Sequence, residues 1–73
     1  MVKRANILIV DDDPDLLETL AIVLSSEYDV ETAKDGAEAI KKSKEKHFDV
    51  ALIDIVLPDI SGVQLLKKIK GGF

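Results

Sequence analysis

Apolar residues recur along this chain in two rhythms that alternate. Residues 5–10 (ANILIV) form a short, nearly continuous apolar run of the kind found in buried strands. Asp13 then stands as a helix N-cap before Pro14, whose fixed φ suits a first helical turn. Leu16, Leu17, Leu20, Val23 and Leu24 follow helical spacing to about Ser25. Tyr28, Val30 and Thr32 alternate with Asp29 and Glu31, the period-two pattern of a strand with one wet face or a sheet edge. "DGAE" opens a second helix, with Asp35 as cap and Glu38 three residues on, as in a capping box. That helix is expected to run to about Lys46, with Ala37 and Ile40 facing inward. Phe48 to Ile53 predicts a third strand. "SGVQ" repeats the capping-box spacing through Ser61 and Gln64, and Val63, Leu66 and Ile69 begin a third helix before the closing "GGF".

Strands alternating with helices across short loops imply parallel βαβ units with right-handed crossovers. The first and third strands are apolar on both faces and belong inside a parallel sheet, whereas the half-polar second strand belongs at an edge. The expected fold is therefore α/β, a three-stranded parallel sheet of order 2-1-3 with flanking helices. Ligands in open α/β sheets sit at the carboxyl ends of strands, beside the point where strand order reverses. Asp11 and Asp12 follow the first strand and Asp54 ends the third. Parallel neighbours bring those acids to one rim.

Composition narrows the possibilities. Seventy-three residues, 47% apolar and 33% charged, make one small soluble domain at most. The absence of cysteine removes disulfides and thiolate metal sites. The apolar run after Arg4 is too short for a signal-peptide core or a membrane helix, so a cytoplasmic location is expected. The net charge of −4 is uneven: residues 1–40 set three bases against ten acids, and residues 41–73 set seven lysines against four acids. Mild overall acidity argues against nucleic-acid binding by this segment, which needs clustered Lys and Arg. The lysines at 41, 42, 44, 46, 67, 68 and 70 read as solvated helix faces favoured by the helix dipole.

Three converging carboxylates need an explanation. Like charges about 4 Å apart repel by roughly 4 kcal/mol at an effective dielectric near 20, which calls for a counter-charge, a shared proton or wider spacing. Carboxylates without imidazole or thiolate suit hard divalent ions, above all Mg²⁺. A carboxylate beside such an ion can also attack phosphorus and become an aspartyl phosphate. Other acids have plainer roles: Asp13 as a cap, Asp15 and Glu18 as first-turn charges, Asp59 as a solvated turn residue after Pro58. Asp11, Asp13 and Asp15 imitate the odd positions of an EF-hand loop, but Leu16 and Ile22 stand where its Gly and Glu belong. No Gly-rich phosphate loop is present. His47 lacks partners for a triad or a zinc site and reads as a surface residue.

"ILIVDDDPDLLETL" and "ALIDIVLPDISGVQLLKKIK" together closely resemble the amino-terminal half of two-component response-regulator receiver domains, over essentially the whole chain. The matching marks are the acidic pair Asp11 and Asp12, Asp54 at the end of the third strand, Pro58 four residues later and Gly62 eight residues later. The resemblance implies a flavodoxin-like, CheY-like fold. It implies that Asp54 is the phospho-acceptor, receiving a phosphoryl group from a histidine kinase, in a signalling protein rather than an enzyme. It further implies that Asp12, Asp54 and the backbone carbonyl of Val56 hold Mg²⁺ directly, with Asp11 acting mostly through water. Pro58 and Gly62 would shape the loop into the third helix.

The family pattern continues into a Ser/Thr on a fourth strand and a Lys on a fifth, and neither has a counterpart in these 73 residues. Residues 1–73 therefore read as one truncated receiver domain, with phosphotransfer impaired. The third strand has no fourth beside it, so its edge invites pairing with another copy, and a homodimer or higher oligomer is expected. An alternative keeps the self-association and drops the chemistry: a non-catalytic half-domain whose acidic cluster is vestigial. A metal-dependent phosphatase is disfavoured, because its Asp-x-Asp-x-Thr motif is absent.

Overall fold

A computed structural model of the chain describes residues 3–69. Lys70 and the closing "GGF", expected to stop the third helix, lie outside the described residues. The elements follow the order β1 (Asn6–Val10), α1 (Pro14–Leu24), β2 (Asp29–Ala33), α2 (Gly36–Glu45), β3 (Val50–Ile53) and α3 (Gly62–Ile69). The sheet has the order β2-β1-β3, and both pairings are parallel. The register sets Ile7 beside Val30 and Val50, and Val10 beside Ala33 and Ile53. All three strands therefore end at one level.

Local chemistry explains the boundaries. Asp13 caps α1 by accepting from the N–H groups of Asp15 and Leu16, and Pro14 fills the first helical position without needing a donor. Asp35 accepts from the Glu38 N–H at 2.8 Å. The return half of that box is displaced by one residue: Glu38 accepts from the Lys34 N–H, not from Asp35. At α3, Ser61 Oγ accepts from the Gln64 N–H at 3.1 Å. The third strand is shorter than expected, because Phe48 and Asp49 approach β1 without joining the ladder. Phe48 is instead 1% exposed and belongs to the core.

The sheet separates two apolar clusters. On the α2/α3 face, Leu8, Val10, Ala33, Ala39, Phe48, Leu57, Leu65 and Ile69 pack together. On the α1 face the cluster is smaller, with Ile7, Ile9 and Leu17 buried and Leu20, Leu24, Tyr28 and Val30 against them. Each fully buried large side chain contributes about 1.5–3 kcal/mol. Ala37, expected to face inward, is exposed, and Ala39 is buried in its place. The sheet lies under the Ala39 side of α2, and Ile40 reaches the cluster only from its margin. Leu16 and Val23 of α1, and Val63 and Leu66 of α3, are likewise exposed despite their helical spacing.

The β2 flank corrects another expectation. Lys42 and Lys46 are not simply solvated. Lys42 Nζ lies 3.5 Å from Glu31 and 4.0 Å from Glu38, and also donates to the Thr32 carbonyl. Lys46 Nζ lies 3.9 Å from Glu31 and 5.9 Å from the centre of the Phe48 ring. Helix and strand bring these side chains together, a convergence that no local pattern could report.

Candidate functional site

The equal ends of β1 and β3 create the site. The Asp54 N–H donates to the Val10 carbonyl at 2.9 Å, and the Asp11 N–H donates to the Ala33 carbonyl at 3.1 Å. These bonds fix the first residue past each strand. One carboxylate oxygen from each of Asp11, Asp12 and Asp54 then lies within 4.8 Å of the others. Asp11 and Asp54 are half-buried, and Asp12 is exposed. Full negative charges at 4.8 Å repel by roughly 3–4 kcal/mol at an effective dielectric near 20, and less where water screens them. Among the described residues, no lysine or arginine forms an ion pair with any of the three. An all-oxygen donor set of this charge suits a hard divalent cation.

Two of the three acids are oriented from within their own loops. Asp11 Oδ1 accepts from the Asp13 N–H at 2.9 Å, and Asp54 Oδ1 accepts from the Val56 N–H at 3.3 Å. Val56 stands two residues beyond Asp54, its side chain open to water and its backbone bridged to Ser61. Gly62 closes the same loop: its N–H donates to the Ile55 carbonyl at 2.7 Å. A Cβ at Gly62 would collide with the Asp54 carbonyl oxygen and Ile55 Cα. Glycine is required there by close backbone approach rather than by an unusual φ. Pro58 follows the buried Leu57 and precedes Asp59.

Asp59 departs from expectation. It is exposed but not merely solvated: its two carboxylate oxygens accept from the N–H groups of Gly36, at 2.9 Å, and Ala37, at 3.0 Å. The Gly36 N–H, helped by that of Ala37, holds the Asp59 carboxyl below its ordinary range, against a partial desolvation that opposes the shift. The partners are more than twenty residues away, so the one sequence-level hint is a glycine at the first position of α2. His47 stands at the other end of β3, exposed and 3.7 Å from Asp49, and takes no part in the acid rim. Asp15 and Glu18 are exposed on the first turns of α1, as expected.

Comparison with known proteins agrees with this geometry. A family model described as "Response regulator receiver domain" matches residues 7–72. A transcriptional regulatory protein CpxR homolog of Haemophilus influenzae is 40% identical over 67 residues, covering 90% of this chain and 29% of that protein. The transcriptional regulatory protein TrcR of Mycobacterium tuberculosis is 42% identical over 65 residues, covering 88% of this chain and 25% of that protein. Among solved structures, a CheY-like receiver domain protein from Methanospirillum hungatei superposes with a TM-score of 0.90 at 38% identity. That match covers 94% of this chain and 56% of that one. The chemotaxis response regulator CheY4 of Vibrio cholerae gives 0.84 at 35% identity, covering 89% of this chain and 55% of that one. The chain thus spans about a quarter to a third of these curated relatives and a little over half of these solved chains. Receiver domains bind Mg²⁺ at an acidic cluster, interact with histidine kinases and are generally not enzymes. With its acids gathered at the carboxyl ends of a 2-1-3 parallel sheet and a family match over nearly its whole length, the chain belongs to the response regulator receiver domain family.

Proposed function

We propose that Asp54 accepts a phosphoryl group from a histidine kinase, with Mg²⁺ held by Asp12, Asp54 and the Val56 backbone carbonyl and with Asp11 acting mostly through water. The observation that carries this reading is the convergence of Asp11, Asp12 and Asp54 within 4.8 Å. In the transfer, an Asp54 carboxylate oxygen forms a bond to phosphorus as the P–N bond of the phosphohistidine breaks. The leaving imidazole keeps the electron pair and takes a proton. Mg²⁺ supplies the positive charge that offsets repulsion between carboxylate and phosphoryl oxygens. The chain itself supplies aim: the Val10 carbonyl fixes the Asp54 backbone, and the Val56 N–H orients its side chain. The reading places the protein in the cytoplasm. Among the described residues, no helix is long and apolar enough to cross a membrane.

Acetyl phosphate replaces the kinase in the test. With Mg²⁺, intact-mass measurement is expected to show the gain of one phosphoryl group on the wild type and none on Asp54→Asn. A wild type that gains nothing from acetyl phosphate or from a phosphorylated histidine kinase overturns the reading.

A second copy of the chain fits the outer edge of β3. Among the described residues no strand pairs with that edge, and Val50 and Leu52 are half exposed along it. Hollows of about 260 and 280 Å³ flank it on the two faces of the sheet. Antiparallel pairing about a two-fold axis also matches charge. The acid rim lies at one end of β3, whereas Lys46 precedes the strand and α3 returns Lys67 and Lys68 toward that opposite end. Light scattering of the wild type should report a dimer that Leu52→Lys disperses. A folded wild-type monomer at micromolar concentration rejects the pairing. A dimer that neither takes up Mg²⁺ nor becomes phosphorylated favours the alternative of a vestigial acid cluster.

A further inference from the structure

The loop between β3 and α3 begins at Asp54 and carries Val56, yet part of its polar anchoring lies on α2. The loop closes on itself where the Gly62 N–H meets the Ile55 carbonyl, which sets Val56 opposite Ser61. From its tip, Asp59 reaches across to α2 and takes the Gly36 and Ala37 N–H groups, one on each oxygen. The first N–H groups of a helix have no partner inside it, and the helix's own cap, Asp35, reaches only Glu38. The loop therefore completes the N-terminus of α2. Two parallel charge-assisted bonds fix orientation as well as distance.

Packing leaves this contact little slack. A Cβ on Gly36 would collide with Ile60 Cγ2 and lie 3.1 and 3.3 Å from the two Asp59 oxygens. Leu57 is buried in the main core cluster, and Ile60 packs against it. At the loop's far end, Gly62 has no room for a side chain against the Asp54 carbonyl. The Asp54 backbone, the Val56 backbone and the Asp59 carboxylate are thus parts of one closely tied segment.

We propose that Asp59 is a positioning residue, whose grip on the N-terminus of α2 holds the acceptor loop in its metal-binding shape and couples the acid rim to that helix. The proposal rests on the reading of Asp54 as a Mg²⁺-dependent acceptor and adds a residue to it. Coupling of this kind is reciprocal: if the Asp59 contact favours cation binding, the cation favours the contact to the same degree.

Reciprocity separates coupling from a plain helix cap. Calorimetry with Mg²⁺ alone is expected to show Asp59→Ala binding roughly fivefold or more weakly than the wild type, with Asp59→Asn between them because it keeps one acceptor oxygen. In the wild type, Mg²⁺ is expected to slow amide hydrogen exchange at Gly36 and Ala37, a measurement that needs no variant to fold. A plain cap predicts otherwise: Asp59→Ala loses thermal stability, keeps the wild-type Mg²⁺ affinity, and exchange at Gly36 and Ala37 ignores the cation. That result overturns the coupling alone. A wild type that takes up no Mg²⁺ overturns the acceptor reading and the coupling with it.

Discussion

The two edges of the sheet are built on opposite terms. The β2 edge is polar and closed by charge. Glu31 is shared by Lys42 and Lys46, and Arg4 approaches Asp29 at 3.7 Å while donating to the carbonyls of Ser25 and Tyr28. Charged side chains of this kind discourage further strand pairing. β3 itself carries no such guard: across β1 from Glu31 the register sets Ala51, and across from Thr32 it sets Leu52. Its apolar composition suits a strand with neighbours on both sides. The comparison shows that a strand's sequence records the surroundings it is suited to, and one edge of this sheet is suited to solvent while the other is suited to company.

Mutations can break or sharpen that contrast. The largest effect should follow depth rather than residue type. Phe48 precedes β3 and Leu52 lies within it, yet one is 1% exposed and the other 45%. Phe48→Ala should cost about 3–5 kcal/mol and leave so small a domain largely unfolded, whereas Leu52→Ala should cost well under about 1.5 kcal/mol. Similar losses in urea titrations of the two variants would erase the distinction between core and open edge. A smaller effect belongs to the guarded edge. Lys42→Ala should cost up to about 1 kcal/mol, because its ion pairs are partly solvated, and the loss should shrink as salt rises. A loss independent of salt would mean that the lysine stem, not its charge, seals that edge.

The smallest contrast concerns acid and the tie that Asp59 makes between the β3–α3 loop and α2. A carboxyl whose pKa is depressed by folding stabilises the fold above its unfolded value, and that contribution fades as pH falls through the folded value. For Asp59 the window therefore lies below about pH 3.8, its ordinary value. Thermal melts of the wild type and Asp59→Asn should converge as pH falls through that window and differ most near neutrality. A gap that stays constant from neutral to strongly acid solution would show that ionisation of Asp59 contributes nothing.

Much of this molecule could be read in one dimension, because its signals are local. Caps at Asp13, Asp35 and Ser61 lie within three residues of the N–H groups they serve. Strand order followed from comparing the polarity of three short runs, and the parallel register then carried Asp11, Asp12 and Asp54 to one rim. Helix faces were less legible. Spacing alone cannot say which side of α2 meets the sheet, so Ala39 took the place expected for Ala37. Likewise Leu65, not Leu66, lies in the core.

What the sequence determined by itself was the kind and order of elements and the ends at which acids would gather, since caps, hydrophobic periods and strand polarity act over a few residues. What only the tertiary structure decided was which distant groups meet. Asp59 on the first turn of α2, Lys42 and Lys46 around Glu31, and Gly62 against the Asp54 carbonyl all depend on contacts across the fold. Such contacts form only after the helices dock, and chain spacing carries no record of the angle at which they do.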